Sequence, residues 1–276
     1  MGGANARDRG ISPRRAPVAA FAWSVPIAAL GGLIGLGGAE FRLPVLAGWF
    51  RYEARQAVAL NLAVSLATVV AALIWRSLTL DLTPLGDYLP LAAAMIIGSV
   101  AAAWVGVGWA EQLSRATFTR LVFALLLMVG VLLLAESVLP LQAGSLAEPD
   151  TAAGWVTGAA AGIGIGLFSS VLGVAGGELI IPTLVYVFGV DIKLAGSASL
   201  IISVPTLLVG IGRFMRLQAY AARGDVTLLI APMAIGSVIG AGIGAALADI
   251  APDKVLKAVL GVILIASALK VFGRAN

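Results

Sequence analysis

Two glutamates set within apolar text, Glu40 and Glu178, are the residues of this chain best placed for chemistry. A carboxylate inside a long hydrophobic run is costly unless it is paired, capped or protonated, so it is a functional candidate by default. Each follows a glycine cluster, Gly35, Gly37 and Gly38 in one case and Gly173, Gly176 and Gly177 in the other, and each precedes a proline, Pro44 and Pro182. Glycines at this spacing release the backbone from helical geometry, and a helix restarting at the glutamate points free N–H groups and a positive dipole end inward. Two such ends meeting from opposite sides form an anion site without many side-chain cations. The same glycines would also serve the tight packing of a kinked helix. For the carboxylates two roles stand side by side: exchange of a proton, or capping of the N–H groups of their own short helices. Arg42, two residues after Glu40, has Ile180 as its counterpart; it either binds the anion or snorkels beside Glu40.

Further along, Asn61, Ser65 and Thr68 fall at i, i+4 and i+7, and Ser199, Ser203 and Thr206 do the same, so each set forms one polar stripe on a helix. Hydroxyls and amides can ligate an oxyanion through neutral hydrogen bonds weak enough to permit release, or can bond to neighbouring helices and to their own i−4 carbonyls. The candidate binding residues are therefore Gly37, Gly38, Ala39, Glu40, Arg42, Asn61 and Ser65 together with Gly176, Gly177, Glu178, Ser199 and Ser203. Glu40 and Glu178 are the candidates for proton coupling.

The elements that position these groups come in two copies. Laid over itself at an offset of 138 residues, the chain matches through loops as well as apolar runs: Gly35–Pro44 over Gly173–Pro182, Met95–Val100 over Met233–Val238, and Gly86 and Asp87 over Gly224 and Asp225. Hydrophobic periodicity predicts helices near 18–35, 40–50, 57–75, 88–109 and 117–138, repeated near 153–173, 178–188, 195–213, 226–248 and 255–272. This divides the chain into a basic cytoplasmic N-terminus (1–17), a first repeat (18–138), an acidic linker (139–151) and a second repeat (152–276). Asp87 and Asp225 read as N-caps. Gly98, Ala102 and Gly106, with Gly236, Gly240 and Gly244, repeat a small-xxx-small pattern for close helix packing. Pro205 should kink its helix, and Arg213, Arg216 and Arg223 should mark the cytoplasmic face. If the short second segment continues the first helix, the repeats are parallel; if it returns as a hairpin, they are inverted, and the distribution of Lys and Arg favours inversion. The expected fold is thus all-α, a polytopic transmembrane bundle of two homologous inverted repeats with eight full spans and two short hairpin helices.

Composition agrees. Hydrophobic residues make up 60% of the chain and charged residues only 12%, against about 25% charged in soluble domains, so lipid is the expected solvent. The absence of Cys and His excludes disulfides, haem attachment, thiolate metal sites and Cys or His nucleophile systems. No nucleophile and base pair points to an intramembrane enzyme, no phosphate-binding loop points to an ATP-driven pump, and no cofactor or metal is expected. The net charge of +4 lies at scattered helix ends without a basic patch, which argues for positive-inside topology and against a nucleic-acid partner. The basic residues Arg7, Arg9, Arg14 and Arg15 precede a long Gly-rich run, read as a retained first helix with a cytoplasmic N-terminus.

The duplicated Gly-rich turn ending in Pro44 and Pro182, followed by Ala57–Ser65 and Ala195–Ser203, resembles the TauE/SafE family of sulfite and organosulfonate exporters, also called the toluene-sulfonate uptake permease family. The likeness covers nearly the whole chain. It departs at Ala39 and Ala175, each in place of a turn glycine, and at Ala59, Leu60 and Asn61. The resemblance implies a secondary carrier for a small anion, such as sulfite, a sulfonate or a related oxyanion, in a prokaryotic cytoplasmic membrane. The expected partners are that anionic solute and the bilayer, with a homo-oligomer left open. Cation transport through Glu40 and Glu178, and a non-transporting partner subunit, are the rival readings.

Overall fold

A backbone surrounded by hydrocarbon must satisfy its own N–H and C=O groups, and the computed structural model is all-helical over the residues it describes, 16–52, 54–110, 115–138, 146–172, 176–216 and 226–273. In chain order these form α1 (Ala16–Ile34), α2 (Ala39–Pro44) with a wide π-type turn Val45–Trp49, α3 (Ala54–Thr79), a 3₁₀ turn Thr83–Tyr88, α4 (Leu89–Ala110) and α5 (Arg115–Val138). The second half follows as α6 (Ala152–Leu172), α7 (Gly177–Tyr186), α8 (Ile192–Arg216), a second π-type turn Val226–Ile230, α9 (Ala231–Ile250) and α10 (Asp253–Gly273). Each helix expected from periodicity is present. The regular helix α2 stops at Pro44 and α9 starts at Ala231, the π-type turns filling the rest of the expected ranges, and α3 runs on to Thr79 instead of stopping near residue 75.

Six helices among the described residues are long and apolar enough to cross a membrane: Ala16–Ile34, Gln56–Thr79, Thr83–Ala102, Ala152–Ser169, Ile192–Arg216 and Leu228–Ile250. Helices α5 and α10 pack on each other. Large apolar side chains such as Val18, Ile97, Ile163, Ile235 and Val262 face outward, as expected where the surrounding solvent is lipid. The basic residues Arg7, Arg9, Arg14 and Arg15, most of the acidic linker, Glu53, Gly173, Ala175, Arg223, Gly224 and Asp225 lie outside the described residues. Asp87 sits within the 3₁₀ turn ahead of α4. At the other end of that turn Asp81 Oδ1 accepts a hydrogen bond from Thr83 N–H at 3.0 Å, and this bond holds the exposed carboxyl below its ordinary range.

The short helix α2 returns along α1. Gly38 and Gly176, the residues before α2 and α7, adopt left-handed φ values of 70° and 81°, which only glycine takes without strain. These two turns reverse the chain. Gly38 then packs on Ile27 of α1, and Gly176 packs on Ile165 of α6. Lower down, the rings of Trp23 in α1 and Trp49 beyond α2 meet edge-on with centroids 5.8 Å apart. Val45, Leu46 and Phe50 share an apolar cluster with Ala16 and Ala20 at the start of α1. In the second half the N–H groups of Leu146 and Ala147, just before α6, donate to Val187 O just after α7. Both short helices are therefore return legs of hairpins.

The long helices α3 and α8 run antiparallel: Arg76 near the end of α3 contacts Lys193 at the start of α8, and Leu62 near the start of α3 lies against Gly210 near the end of α8. The halves also exchange partners, since α1 packs mainly on α9 and α6 mainly on α4. A methyl added to Gly98 would lie 2.1 Å from Ala159 O, and one added to Gly236 would lie 2.7 Å from Phe21 O; both pairs of positions correspond at the offset of 138. The small-residue stripes thus close two equivalent seams between the halves, where dispersion gains at backbone contact distance hold helices that no hydrophobic force drives together.

Candidate functional site

The two hairpin tips meet. An ideal Cβ on Gly177, the first residue of α7, would lie 3.3 Å from Leu36 Cα in the first tip and 3.1 Å from Ser199 Oγ on α8. Behind this contact Gly35, with φ of 95°, presses on Gly196, where an added Cβ would come within 2.2 Å of Gly196 O. No side chain fits at this crossing, so glycine on both helices is a steric requirement.

Into this region the first half delivers a cation. Arg42 is fully buried, and its guanidinium reaches across from α2 to the polar stripe of α3. Nη1 donates to Ser65 Oγ at 2.9 Å and to Asn61 Oδ1 at 3.4 Å; Nη2 donates to Thr68 Oγ1 at 2.9 Å and to Gly37 O at 3.4 Å. Nε has no partner. The charge of Glu40, itself 7% exposed, acts on Arg42 from the same short helix. The Arg42 side chain is anchored in the stripe and does not snorkel toward a surface. The guanidinium's hydrogen-bond acceptors are neutral oxygens, which satisfy its donors, and the charge acting on it is that of Glu40.

The second half builds the same frame without the cation. Ile180 stands in register with Arg42 and is buried. On α8, Ser199 Oγ is wholly buried without a hydrogen-bond partner. Ser203 is buried one turn on, and Thr206 Oγ1 lies 3.2 Å from Ser99 Oγ on α4. At the corresponding place in the first half Arg42 engages Thr68, and Ser237, the mate of Ser99, has an unpartnered hydroxyl. Glu178 is 3% exposed in the first turn of α7. Of the residues selected from sequence, Gly37, Arg42, Asn61 and Ser65 form one constellation; Gly177 and Ser199 form another, joined to the first tip through Leu36. Ala39, Glu40, Glu178 and Ser203 are also buried. Gly38 and Gly176 face back into their own hairpins.

One buried cation escapes the sequence pattern. Arg76 is as inaccessible as Arg42 and donates from Nη1 to Gly32 O at 3.3 Å and from Nη2 to Lys193 O at 3.1 Å. It stands one residue past the expected end of its helix, where an arginine reads as a surface charge; only extension of the helix through Thr79 turns it inward.

The profile of the sulfite exporter TauE/SafE family matches residues 19–271, nearly the entire chain. The chain belongs to the TauE/SafE family. It is accordingly a multi-pass membrane protein of a transporter family, not an enzyme. No curated protein and no solved structure matches the chain. The matched residues of this TauE/SafE chain include both glycine breaks and the polar stripes of α3 and α8.

Proposed function

We propose that this TauE/SafE protein is a secondary transporter for a small oxyanion, sulfite or a sulfonate, bound near the midplane where the two hairpin tips meet. The observation that carries this reading is the fully buried Arg42 guanidinium beside the contact between Leu36 and Gly177. A cation kept at that depth without exposure is expensive, and negative cargo is the occupant that lowers its cost. The α7 N-terminus and the unpartnered Ser199 Oγ supply neutral donors on the facing side. A cation carrier using Glu40 and Glu178 would have to place its cargo next to Arg42.

In this reading the chain forms two repeats, 18–138 and 152–276, joined by the acidic linker 139–151, with α5 and α10 completing eight spans. Antiparallel packing of the equivalent helices α3 and α8 supports an axis in the membrane plane and hence inverted repeats. The excess of Lys and Arg then puts the N-terminus in the cytoplasm. Alternating access follows if the tightly seamed pairs α1 with α9 and α4 with α6 rock about the site. Glu40 and Glu178 take up protons as the anion binds, which relieves their repulsion of it.

Counterflow in liposomes tests this directly. Purified protein preloaded with sulfite should accumulate labelled sulfite or methanesulfonate and should ignore rubidium and a labelled organic cation. Accumulation of a cation, or no exchange of any solute, would reject the anion reading.

A further inference from the structure

A helix break has two ends. The C-terminus of α1, a helix of 19 residues, presents carbonyls and partial negative charge to the first tip, and α2, with 6 residues, is too short to offset it. An anion site at this tip therefore needs something else to answer those carbonyls. In this chain three carbonyls at the tip have identified donors. Gly31 O accepts from the N–H groups of Gly35 and Leu36, Gly37 O from Arg42, and Gly32 O from Arg76. Arg76 is in contact with the tip itself: a Cβ on Gly196 would lie 3.0 Å from Arg76 Nη1 and 2.3 Å from Ile34 O, and Gly35 presses on the same residue. Its hydrogen-bond acceptors are backbone carbonyls of α1 and α8, and its Nε is unpartnered. The charged group acting on it is Asp191, an exposed residue whose Oδ1 accepts from Lys193 N–H at the start of α8. The positions in register with Arg42 and Arg76 in the second half are Ile180 and Phe214, so the two cations buried among the described residues belong to the first half.

We propose that Arg76 is a positioning residue for anion binding: by capping the carbonyl end of α1 with a full positive charge, it makes the first tip electropositive and sets the charge sign of the cargo. The inference rests on the anion site proposed above. It adds that Arg42 at the site is reinforced by a second cation at the rear of the tip, which acts without touching the solute, and that the first half supplies both of these cations.

The test uses the full-length protein in liposomes and compares Arg76→Gln, Arg76→Lys and Asp191→Asn with the parent. Arg76→Gln keeps hydrogen-bond donors for Gly32 O but loses the charge; it should raise KM for sulfite by about tenfold with kcat within about twofold, and should lower the ratio of anion to cation counterflow. Arg76→Lys should restore most of the affinity. Asp191→Asn retains a capping side chain, removes the opposing charge and should lower KM. If Arg76→Gln does not fold, Asp191→Asn decides alone. An unchanged KM in Arg76→Gln, or a fall in kcat and in folded yield at constant KM, overturns the proposal, as does an unchanged KM in Asp191→Asn. Failure of the parent protein to move any anion would instead sink the anion site itself.

Discussion

Arg42 Nη2 lies 2.9 Å from Thr68 Oγ1, so a helix of six residues delivers its charge to the middle of a helix of twenty-six. Deleting that charge while keeping bulk, as in Arg42→Met, should weaken anion binding by about 1.5–3 kcal/mol, or ten- to hundredfold in KM. Arg42→Lys should recover only part of the loss, because one ammonium cannot serve Ser65 and Thr68 in the geometry of a planar fork. Uptake kinetics over a range of sulfite concentrations check both, and full activity of Arg42→Met would remove Arg42 from the site.

Ser199 offers the cleaner contrast. Its hydroxyl has no partner in the protein, so Ser199→Ala should leave thermal stability in detergent unchanged while raising KM by roughly two- to tenfold, the equivalent of one neutral hydrogen bond. Thr206→Val, which breaks the contact with Ser99, should instead lower the melting temperature. A loss of stability in Ser199→Ala with no change in KM would make Ser199 a packing residue.

The glutamates are tested by pH. A carboxylate beside a bound anion opposes it and its protonated form does not, so affinity for the anion should rise as pH falls and the carboxyls take up protons. Glu40→Gln and Glu178→Gln remove the titrating group, and each should flatten this profile, bringing KM values at about pH 6 and about pH 8 closer together. Profiles unchanged in both variants would leave the glutamates as caps of α2 and α7.

Glycine seams make a stability prediction. Gly98→Ala forces a methyl to within 2.1 Å of Ala159 O and should cost about 1–3 kcal/mol through overpacking. Gly164→Ala meets nothing within 4 Å and should be neutral or stabilising by up to ~1 kcal/mol from helix propensity. Melting of the two variants in detergent compares them directly.

Much of this architecture was legible in the residues. Helix positions follow from apolar runs, because lipid leaves the backbone no alternative, and the paired breaks follow from Gly, Glu and Pro recurring at one offset. The inward path of Arg42 was legible only as a choice, since the text around Glu40 is compatible with either direction until Ser65 and Thr68 are seen to lie within reach. Arg76 was hidden for a different reason. Ser77 and Thr79 look like a loop, and four residues of helix beyond Trp75 decide whether the guanidinium meets water or Gly32 O. The partner exchange of α1 with α9 and of α6 with α4 was not legible at all: a small-residue stripe announces that a helix will be approached closely, yet carries no label for the helix that approaches.

That exchange also imposes an order of events during synthesis. Helix α1 must wait, its seam face unmatched, until α9 and its glycine edge emerge from the ribosome, so a chain cut short anywhere between them contains a hairpin with nothing to lean on. Nascent protein should therefore become resistant to quality-control proteases only once α9 has been made, and the two halves expressed as separate polypeptides should survive in cells together but not apart.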